Sequence, residues 1–357
     1  MKRKKKIAVG LSGGVDSSVA AYLLKRQGWE VVGFTLKFNP QDNRCCDTES
    51  LYQVKRLAAM LDIMHYTLDV NDVFSEGVVR YFLDSYLTGL TPNPCVFCNR
   101  LIKFGTFFDK AKSLGCEHLA TGHYVRLVKR SGRYLFRQAR DKKKSQEYFL
   151  SLVNPSILPR LVFPLGNYQK ETVKTIAREK NLLFKERKES QDVCFVPQKS
   201  YASFIKQHIS IPGMYQGVIR HVNGQVLGHH KGIYYFTYGQ REGLGISWKA
   251  PLYVARIDSR DNTVYVGERK YLERKTFRVG SLNWFLPKLA KKGILKNVAV
   301  KIRYNASPSA CECQIDKIGV TVVLQVPVSA ITPGQIAAFY RGDTLLGAGI
   351  IEKNSIE

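Results

Sequence analysis

The chain has 357 residues, and its 55 Lys+Arg against 29 Asp+Glu give a formal net charge of +26. Hydrophobic residues make up 45% and charged residues 24%, which excludes a disordered or low-complexity chain. At roughly 150 residues per domain, this length predicts two or three domains, each with its own core. No apolar run approaches the ~18 residues of a membrane span, and the apolar run after the basic N-terminus is too short for a signal peptide. We therefore expect a cytoplasmic protein with no membrane partner.

The positive charge is spread along the chain and is not confined to one tail, with local runs at 142–144, 185–188 and 288–292. A charge of this size concerns partners and solubility. Its candidate partners are nucleic acid and an anionic membrane, and the plain alternative is a merely basic enzyme. The spread favours a large polyanion that contacts several domains.

The first half of the chain alternates short apolar runs with helical patterns. Buried strands are predicted at 7–11, 31–36, 64–68 and 118–122, and helices at 15–27, 54–61 and 101–114. This alternation predicts an α/β fold with a parallel sheet and helices on both faces. Ligands of such sheets bind at the carboxyl ends of the strands, where residues 12–14 and 121–123 lie.

The pattern changes after about residue 205. Asp261-Asn262 stands between two apolar runs and predicts a hairpin. From Phe277 onward, evenly spaced short strands predict a small β-barrel. We therefore predict three domains: a parallel-sheet domain over 1–205, a small mixed or β domain over 206–275, and a C-terminal β-barrel over 276–357.

Residues 12–18, SGGVDSS, form a Gly-rich turn between the first strand and the first helix, and we call them the phosphate loop. Glycines let the backbone turn sharply towards a phosphate, and the helix N-terminus offers N–H groups to an anion. The loop is neither a Walker A nor a GxGxxG motif. Asp16 in such a site indicates Mg²⁺ between the carboxylate and the phosphate. The plain alternative is a strand–turn–helix with a Ser/Asp cap.

This loop resembles that of the ATP pyrophosphatase (PP-loop) superfamily. The resemblance implies an adenine-nucleotide α-hydrolase-like domain over 1–205. It also implies cleavage of ATP between the α- and β-phosphates, with adenylation of a substrate oxygen.

Three cysteines are candidates for a chemical role. Cys95 and Cys98 form a CxxC in a proline-rich stretch, and Cys194 lies far along the chain. The residues leave open a metal or cluster site, a redox pair, and a nucleophile with a resolving thiol. A four-cysteine zinc site would need a second CxxC, and this sequence does not contain one.

The other cysteines are less informative. Cys311 and Cys313 alternate in a predicted strand, and we expect that they do not turn to one site and are structural. Cys116, near a helix end, is also predicted to be structural. Cys45 and Cys46 stay ambiguous.

Five motifs in order resemble the tRNA-specific 2-thiouridylase family: SGGVDSS, TPNPCVFCN, GHY at 122–124, SQDVCF and TYGQREGLGI at 237–246. The resemblance extends over nearly the whole chain. It implies an ATP-dependent tRNA-uridine 2-sulfurtransferase that adenylates the C2 oxygen of the wobble uridine and then transfers sulfur. The implied partners are the anticodon stem-loop of tRNA and a sulfur-donor relay protein or cysteine desulfurase, and the implied state is a monomer.

The resemblance also implies roles for single residues. Cys194 carries sulfur as a persulfide, and Cys98 is the partner thiol and nucleophile. ATP contacts are implied for Val9, Gly10, Leu11, Ser12, Gly13, Gly14, Val15, Asp16, Leu36 and Gly122, with Mg²⁺ accompanying ATP. The target base is contacted by Asn93, Pro94 and Cys95, and tRNA by His123, Lys144, Ser145, Gln146, Arg303, Tyr304 and Gln335.

The chain departs from the family pattern in two places. Cys95 stands where many members carry Asp, so a [4Fe–4S] cluster on Cys95, Cys98 and Cys194 stays open as an alternative sulfur chemistry. Ser145 stands where relatives have Asp in a Lys-Asp-Gln sequence. The basic run 185–188 is expected to lower the pKa of Cys194.

Two rival functions compete with this interpretation. A small-molecule ligase of the same superfamily, such as an argininosuccinate synthetase-like enzyme, explains the phosphate loop but neither the cysteines nor the charge. A non-catalytic RNA-binding protein with a Cys-ligated metal explains the charge and the cysteines but not the phosphate loop.

Overall fold

The structure, a computed structural model, describes residues 5–38, 48–130, 132–182, 193–196, 201–209, 216–291 and 293–353. Cys45, Cys46 and the basic run 185–188 lie outside the described residues. The chain divides into two compact units. Unit 1 comprises residues 1–78, 95–195 and 343–346, and unit 2 comprises residues 79–94, 196–342 and 347–357.

The described α-helices, in chain order, are α1 (Val15–Arg26), α2 (Thr48–Met60), α3 (Asn71–Phe74), α4 (Arg80–Leu87), α5 (Pro94–Cys98), α6 (Phe107–Ser113), α7 (Lys170–Glu179) and α8 (Tyr201–His208). Two π-helical segments, Ser75–Val79 and Asn99–Thr106, join helices to each other. The helix α1 follows its sequence pattern: Val19, Leu23 and Leu24 are buried, and the chain turns away at Gly28 with φ +83°. A glycine adopts that left-handed conformation without a steric penalty.

A parallel sheet forms the centre of unit 1. Its strands are β1 (Lys6–Gly10), β2 (Glu30–Lys37), β3 (Met64–Asp69), β4 (His118–Ala120) and β7 (Leu161–Val162), in the order β3-β2-β1-β4-β7. All the neighbouring strands run parallel, which confirms the predicted sheet. From β1 the chain moves outward to β2 and β3, whereas β4 lies on the other side of β1. The switch point of the topology, where ligands of such sheets bind, therefore falls between β1 and β4.

Helices cover both faces of this sheet, as predicted. Val9 and Val31 face a buried cluster shared with α1 and α7. Phe34 points to the opposite face, where its ring centroid lies 5.2 Å from that of Phe107 on α6. Successive strand residues point to opposite faces, so an unbroken apolar run is what a sheet covered on both faces requires.

A hairpin of β5 (Val125–Arg130) and β6 (Arg133–Gln138) also belongs to unit 1. Arg126 and Arg137 stand opposite each other on this hairpin, and both contact the carboxylate of Asp343, at 3.2 and 2.6 Å. The carboxylate offsets the repulsion between the two facing guanidinium groups.

Unit 2 contains a small four-stranded sheet. The strands are β8 (Gly217–His221), β9 (Val226–His230), β10 (Tyr253–Asp258) and β11 (Thr263–Gly267), in the order β10-β11-β8-β9. β10 and β11 pair antiparallel on either side of a turn in which Asn262 has φ +48°. The predicted Asp261-Asn262 hairpin is therefore confirmed.

The last six strands of the chain form a closed antiparallel barrel. Its strands are β12 (Glu273–Trp284), β13 (Gly293–Lys301), β14 (Ser309–Ile315), β15 (Val320–Ser329), β16 (Ile336–Arg341) and β17 (Thr344–Ile351). They follow the order β12-β15-β14-β13-β16-β17, and pairing of β12 with β17 closes the barrel. The predicted β-barrel is confirmed.

The positions of Cys311 and Cys313 contradict the expectation that their side chains point to different sites. Both lie on β14 and are buried, and their Sγ atoms are 3.9 Å apart. Residues two apart in a strand point to the same face, so the prediction that these thiols do not turn to one site is wrong. Cys116 is buried three residues after the end of α6, in agreement with a packing role.

No helix within the described ranges is long and apolar enough to cross a membrane. The boundaries near residues 205 and 275 stay a prediction, since the compact units do not follow the chain continuously.

Candidate active site

The phosphate loop lies at the carboxyl end of β1. The backbone turns at Gly13, with φ +74°, and α1 begins at Val15. The hydroxyl of Ser17 accepts from the backbone N–H of Ser12 at 3.2 Å and donates to the carbonyl of Gly14 at 3.0 Å. Ser17 therefore holds the two sides of the turn together, and the start of α1 stays oriented for an anion.

Gly122 brings the end of β4 directly against this loop. A Cβ atom added to Gly122 would lie 2.9 Å from the carbonyl carbon of Asp16 and 2.9 Å from the amide nitrogen of Ser17. Such a contact is far inside van der Waals distance, so only glycine fits beside the loop. The structure brings the predicted ATP residue Gly122 and the phosphate loop, with its predicted ATP residues 12–16, together at the switch point of the sheet.

Asp16 is held by two side chains that the sequence does not reveal. The Nζ atom of Lys170 lies 2.8 Å from each carboxylate oxygen, and the hydroxyl of Tyr124 donates to Oδ1 at 2.8 Å. The side chain of Lys170 is 8% exposed and that of Asp16 is 34% exposed. Lys170 begins α7, so the ion pair joins residues at the starts of two helices.

The arrangement does not fit Asp16 as a ligand of Mg²⁺. Both carboxylate oxygens are engaged by Lys170, and one of them also by Tyr124. The ammonium supplies the positive charge that the sequence-based interpretation assigned to the metal.

A set of hydrogen bonds between the ends of β1 and β2 lies beside the predicted nucleotide contacts Leu11 and Leu36. The amide of Leu11 donates to the carbonyl of Phe34 at 2.7 Å, and the hydroxyl of Thr35 donates to the carbonyl of Leu11 at 3.1 Å. Thr35 is also 2.9 Å from Nε2 of His65. These bonds fix the chain as it leaves β1, so the start of the phosphate loop has a defined position.

Cys95 and Cys98 lie one turn apart on α5, a helix that Pro94 begins. Residues three apart on a helix point to the same side, so both thiols point the same way. Together with Cys194 they form a group that interacts electrostatically: Cys194 acts on the pKa of both, and Cys95 on that of Cys98. The fold therefore brings the two cysteines with predicted catalytic roles into one neighbourhood. None of the three is joined by a disulfide in the structure.

Burial dominates the acidity of the two helix thiols. It raises the pKa of Cys98 to about 12 and also raises the pKa of Cys95. Lys103, on the π-helical segment after α5, acts in the opposite direction on both thiols. The predicted effect of the run 185–188 on the pKa of Cys194 stays a prediction, because that run lies outside the described residues.

The three thiols are also the candidate ligands of a cluster. Across the described ranges, no three His, Cys, Asp or Glu side chains are arranged to hold one metal ion. The described geometry therefore gives no support to the [4Fe–4S] alternative.

His123 is half-buried after β4. Its Nδ1 lies 2.7 Å from the hydroxyl of Thr121, and its ring packs 5.9 Å from that of Phe104. Burial, and then Lys103, hold the pKa of His123 well below its usual range. A neutral imidazole offers a hydrogen bond to RNA but no charge to a phosphate.

Residues 144–146 are tied to the site by hydrogen bonds. Gln146 accepts from the amide of Tyr124 at 2.9 Å and donates its own amide to the Tyr124 carbonyl at 2.9 Å. The Ser145 hydroxyl accepts from the amide of Ala139 at 2.8 Å and donates to the carboxylate of Glu147. Ser145 and Glu147 are buried, so Ser145 holds its own loop in place and is not exposed to a partner.

Gln335 holds the segment before α5. Its Nε2 donates to the carbonyls of Thr91 at 3.0 Å and Pro92 at 3.2 Å, all within unit 2. These carbonyls directly precede Asn93, the first of the predicted target-base residues. Gln335 therefore supports the loop that carries the predicted base contacts.

Arg303 and Tyr304 follow β13 in unit 2. Arg303 donates to the carbonyls of Ser329 and Ala330, each at 3.3 Å, and Lys301 lies 5.3 Å from the centroid of the Tyr304 ring. This part of the barrel presents cations beside an aromatic ring, a combination that suits RNA.

Sequence reasoning missed Lys103, Tyr124 and Lys170. No spacing signal marks Lys170, because it meets Asp16 across 154 residues of chain. Tyr124 belongs to the GHY motif but carries no local sign of its contact with the phosphate loop.

The sheet, its switch point and the phosphate loop define an α/β protein of the nucleotide-binding class. Family models match nearly the whole chain: "tRNA methyl transferase HUP domain" over residues 5–198, "tRNA methyl transferase PRC-barrel domain" over 202–268 and "Aminomethyltransferase beta-barrel domain" over 274–351. The chain belongs to the family of tRNA-specific 2-thiouridylase MnmA, as its full-length relatives show.

Two of those relatives illustrate the similarity. A tRNA-specific 2-thiouridylase MnmA 1 from Caldanaerobacter subterraneus subsp. tengcongensis is 43% identical over 366 residues, which cover 99% of each chain. A tRNA-specific 2-thiouridylase MnmA from Aquifex aeolicus is 42% identical over 362 residues, covering 98% of this chain and 99% of its own. The family-model descriptions name methyl transfer, whereas these full-length relatives are named for thiolation.

Among solved structures, the U34-tRNA thiolase NcsA from Methanococcus maripaludis with its [4Fe-4S] cluster is 20% identical, covers 58% of this chain and 65% of its own, and has a TM-score of 0.34. A 4-thiouridine synthetase–RNA complex with bound ATP is 17% identical, covers 50% of this chain and 41% of its own, and has a TM-score of 0.36. Scores this low carry no argument about the chemistry of this chain.

Proposed function

We propose that this chain catalyses ATP-dependent 2-thiolation of the wobble uridine of tRNA. The observation that carries the proposal is that unit 1 contains both an anion-binding loop at the switch point of its sheet and a Cys98–Cys194 neighbourhood. Thiolation of uracil needs both parts, because oxide is too poor a leaving group at C2. The full-length relatives named for this activity support the proposal.

The first step activates the base. The C2 oxygen of uridine attacks the α-phosphorus of ATP, a P–O bond forms, and pyrophosphate leaves. The backbone N–H groups at the start of α1 stabilise the charge on the departing phosphates. Val9 to Asp16, Leu36 and Gly122 are the proposed ATP contacts.

The second step transfers sulfur. A persulfide on Cys194 attacks C2 with its terminal sulfur, a C–S bond forms, and AMP takes away the former C2 oxygen. The Cys98 thiolate then attacks the inner sulfur of Cys194, which breaks the S–S bond and releases 2-thiouridine. The product is a Cys98–Cys194 disulfide, which an external thiol reduces before the next turnover. The described side chains include no group of three ligands for a metal, which favours this persulfide route over the cluster route.

The remaining assignments follow from the same proposal. Asn93, Pro94 and Cys95 meet the target base, and His123, Lys144, Gln146, Arg303 and Tyr304 contact the tRNA. A sulfur-donor relay protein or cysteine desulfurase loads Cys194. The enzyme works in the cytoplasm as a monomer, with ATP as its cofactor.

The experiment replaces Cys98 and Cys194 by serine separately and measures 2-thiouridine formed from unmodified tRNA, ATP and a cysteine desulfurase with free cysteine, which transfers sulfur at the persulfide level. Each variant is expected to lose at least about 100-fold in rate, because each removes a group that forms a bond in the reaction. Cys311→Ala, on a barrel strand, is the matched control and should keep its activity. Full activity in either serine variant contradicts the role assigned to that thiol.

Two further measurements decide between the alternatives. Absence of both AMP and a 2-thiolated product in the wild-type reaction would contradict the proposed enzymatic activity. An anaerobic preparation that contains iron in proportion to its activity would favour the cluster, whereas a colourless, iron-free and fully active protein supports the persulfide.

A further inference from the structure

Lys170 raises a question that the thiolation chemistry does not answer. A buried lysine is uncommon unless it has a charged partner. Its partner Asp16 lies in the first turn of α1, inside the loop that binds an anion. A carboxylate at that place repels phosphate, whereas a helix N-terminus alone attracts it.

The geometry shows how this repulsion is cancelled. Nζ of Lys170 lies 2.8 Å from both oxygens of Asp16, and Tyr124 adds a third hydrogen bond at 2.8 Å. Nζ also lies 5.7 Å from the centroid of the Tyr124 ring, within the range of a cation–π contact. Because Lys170 is almost fully buried, water weakens this pair little.

The position of Lys170 is fixed from its backbone as well. Its amide N–H donates to Oδ2 of Asp141 at 3.0 Å, and Asp141 also accepts from the amide of Lys144 at 3.3 Å through Oδ1. Asp141 therefore accepts the first backbone N–H of α7 and fixes where the Lys170 side chain leaves the helix. Lys174, one turn later, makes an exposed ion pair with Glu171 at 2.9 Å.

We propose that Lys170 is a positioning residue for the ATP-dependent step, assisted by Tyr124. It neutralises Asp16 and anchors the first turn of α1, so that the phosphate loop accepts a polyanion. The inference rests on the proposed function in one respect, which is that the polyanion is ATP. It gives Asp16 a role that needs no metal ion at its carboxylate.

The test separates charge compensation from a merely structural ion pair. ATP binding is measured by equilibrium dialysis for wild type, Lys170→Met, Asp16→Asn and the double variant Asp16→Asn/Lys170→Met. Lys170→Met leaves an uncompensated carboxylate in the loop and is expected to weaken ATP binding by at least about tenfold. The double variant removes that carboxylate as well and is expected to recover most of the loss. Lys174→Met, on the same helix, is the matched control and should bind ATP like wild type.

Two outcomes overturn the proposal. Lys170→Met with wild-type affinity for ATP shows that the charge is not needed, and a folded double variant that binds no better than Lys170→Met shows that Asp16 is not its target. Thermal unfolding reports whether each variant is folded. If Lys170→Met does not fold, Tyr124→Phe carries the test, since loss of its hydroxyl should weaken ATP binding and unchanged affinity contradicts the proposal.

The failure of this inference is distinguishable from that of the proposed function. Dialysis needs neither tRNA nor a sulfur donor, so it tests the phosphate loop alone. Wild-type protein that shows the expected binding pattern but forms no 2-thiouridine contradicts the thiolation function and leaves the role of Lys170 intact.

Discussion

Among the described residues, Lys103 is the cation that favours the thiolate forms of Cys95 and Cys98 on α5. Burial raises the pKa of Cys98 to about 12, and Lys103 is the largest effect that opposes it. The same cation helps to keep His123 neutral. Lys103 lies on a π-helical segment, a geometry that is frequent at functional sites because it shifts side chains out of regular register.

The acidity of Cys98 gives a prediction at the scale of one residue. A thiol with a pKa near 12 is almost wholly protonated at pH 8. Its alkylation by iodoacetamide is therefore expected to rise about tenfold per pH unit from pH 7 towards that pKa. Lys103→Met raises the pKa further, so labelling of Cys98 at any fixed pH in this range should be slower. Labelling is followed on the Cys98 peptide by mass spectrometry.

The control for this experiment is Lys110→Met, which removes an exposed lysine from α6. It should leave the labelling profile of Cys98 unchanged. If Lys103→Met and wild type label at equal rates at pH 9, Lys103 does not set the acidity of this thiol.

At the scale of elements, the local patterns of the sequence were sufficient for most of unit 1. The strand, Gly-rich turn and helix around residues 12–18 are all determined by neighbours in the sequence. The partners Lys170 and Lys103 were missed because their contacts depend on how separate elements pack. Cys311 and Cys313 show a different failure: the strand was predicted, but its two-residue period was applied wrongly.

The loop that precedes α5 gives a prediction about one element. Gln335→Ala removes both side-chain hydrogen bonds to the carbonyls of Thr91 and Pro92. We expect the thiolation rate at saturating tRNA to fall several-fold, because the residues proposed to meet the target base lose their support. The affinity for ATP should stay unchanged. Single-turnover kinetics and dialysis measure the two quantities.

Gln314→Ala, at an exposed position of β14, is the matched control for Gln335. It removes a glutamine of the barrel without touching the loop. A Gln335→Ala enzyme with the wild-type rate would show that the loop does not depend on this side chain. An altered affinity for ATP would show that the effect of Gln335 is not confined to the loop.

The barrel has an acid-sensitive ion pair of its own. Arg278 donates to Asp316 at 3.0 Å and lowers the pKa of that carboxyl to about 2. Since the folded-state pKa lies below the unfolded value, the pair stabilises the protein above about pH 4, and this contribution is lost as the pH falls towards 2. In Asp316→Asn, the stability should therefore fall less steeply over this window, as measured by urea unfolding at each pH. Equal slopes in the two proteins would contradict the assignment.

At the scale of the whole molecule, the charge of +26 has a more specific meaning than the composition alone gave it. Within unit 1, one positive charge is consumed in neutralising Asp16 and two are consumed on Asp343. The net charge already subtracts all 29 Asp and Glu from the 55 Lys and Arg, so 26 basic residues exceed the acidic ones however the ion pairs are arranged. We expect this excess to meet the phosphates of a nucleic acid, whereas the ATP loop relies mainly on backbone N–H groups and a compensated carboxylate.

Salt should therefore separate the two ligands. Neutralising RNA phosphates releases counterions, so tRNA affinity should fall by a factor on the order of 10³ or more between 50 and 200 mM salt if six or more phosphates are contacted. ATP affinity should fall by much less over the same range, because its loop presents few net charges and is partly screened from solvent. Filter binding of unmodified tRNA and dialysis of ATP, at matched salt concentrations, measure the two slopes. Equal slopes for both ligands would mean that the excess charge is not mainly a tRNA-binding surface.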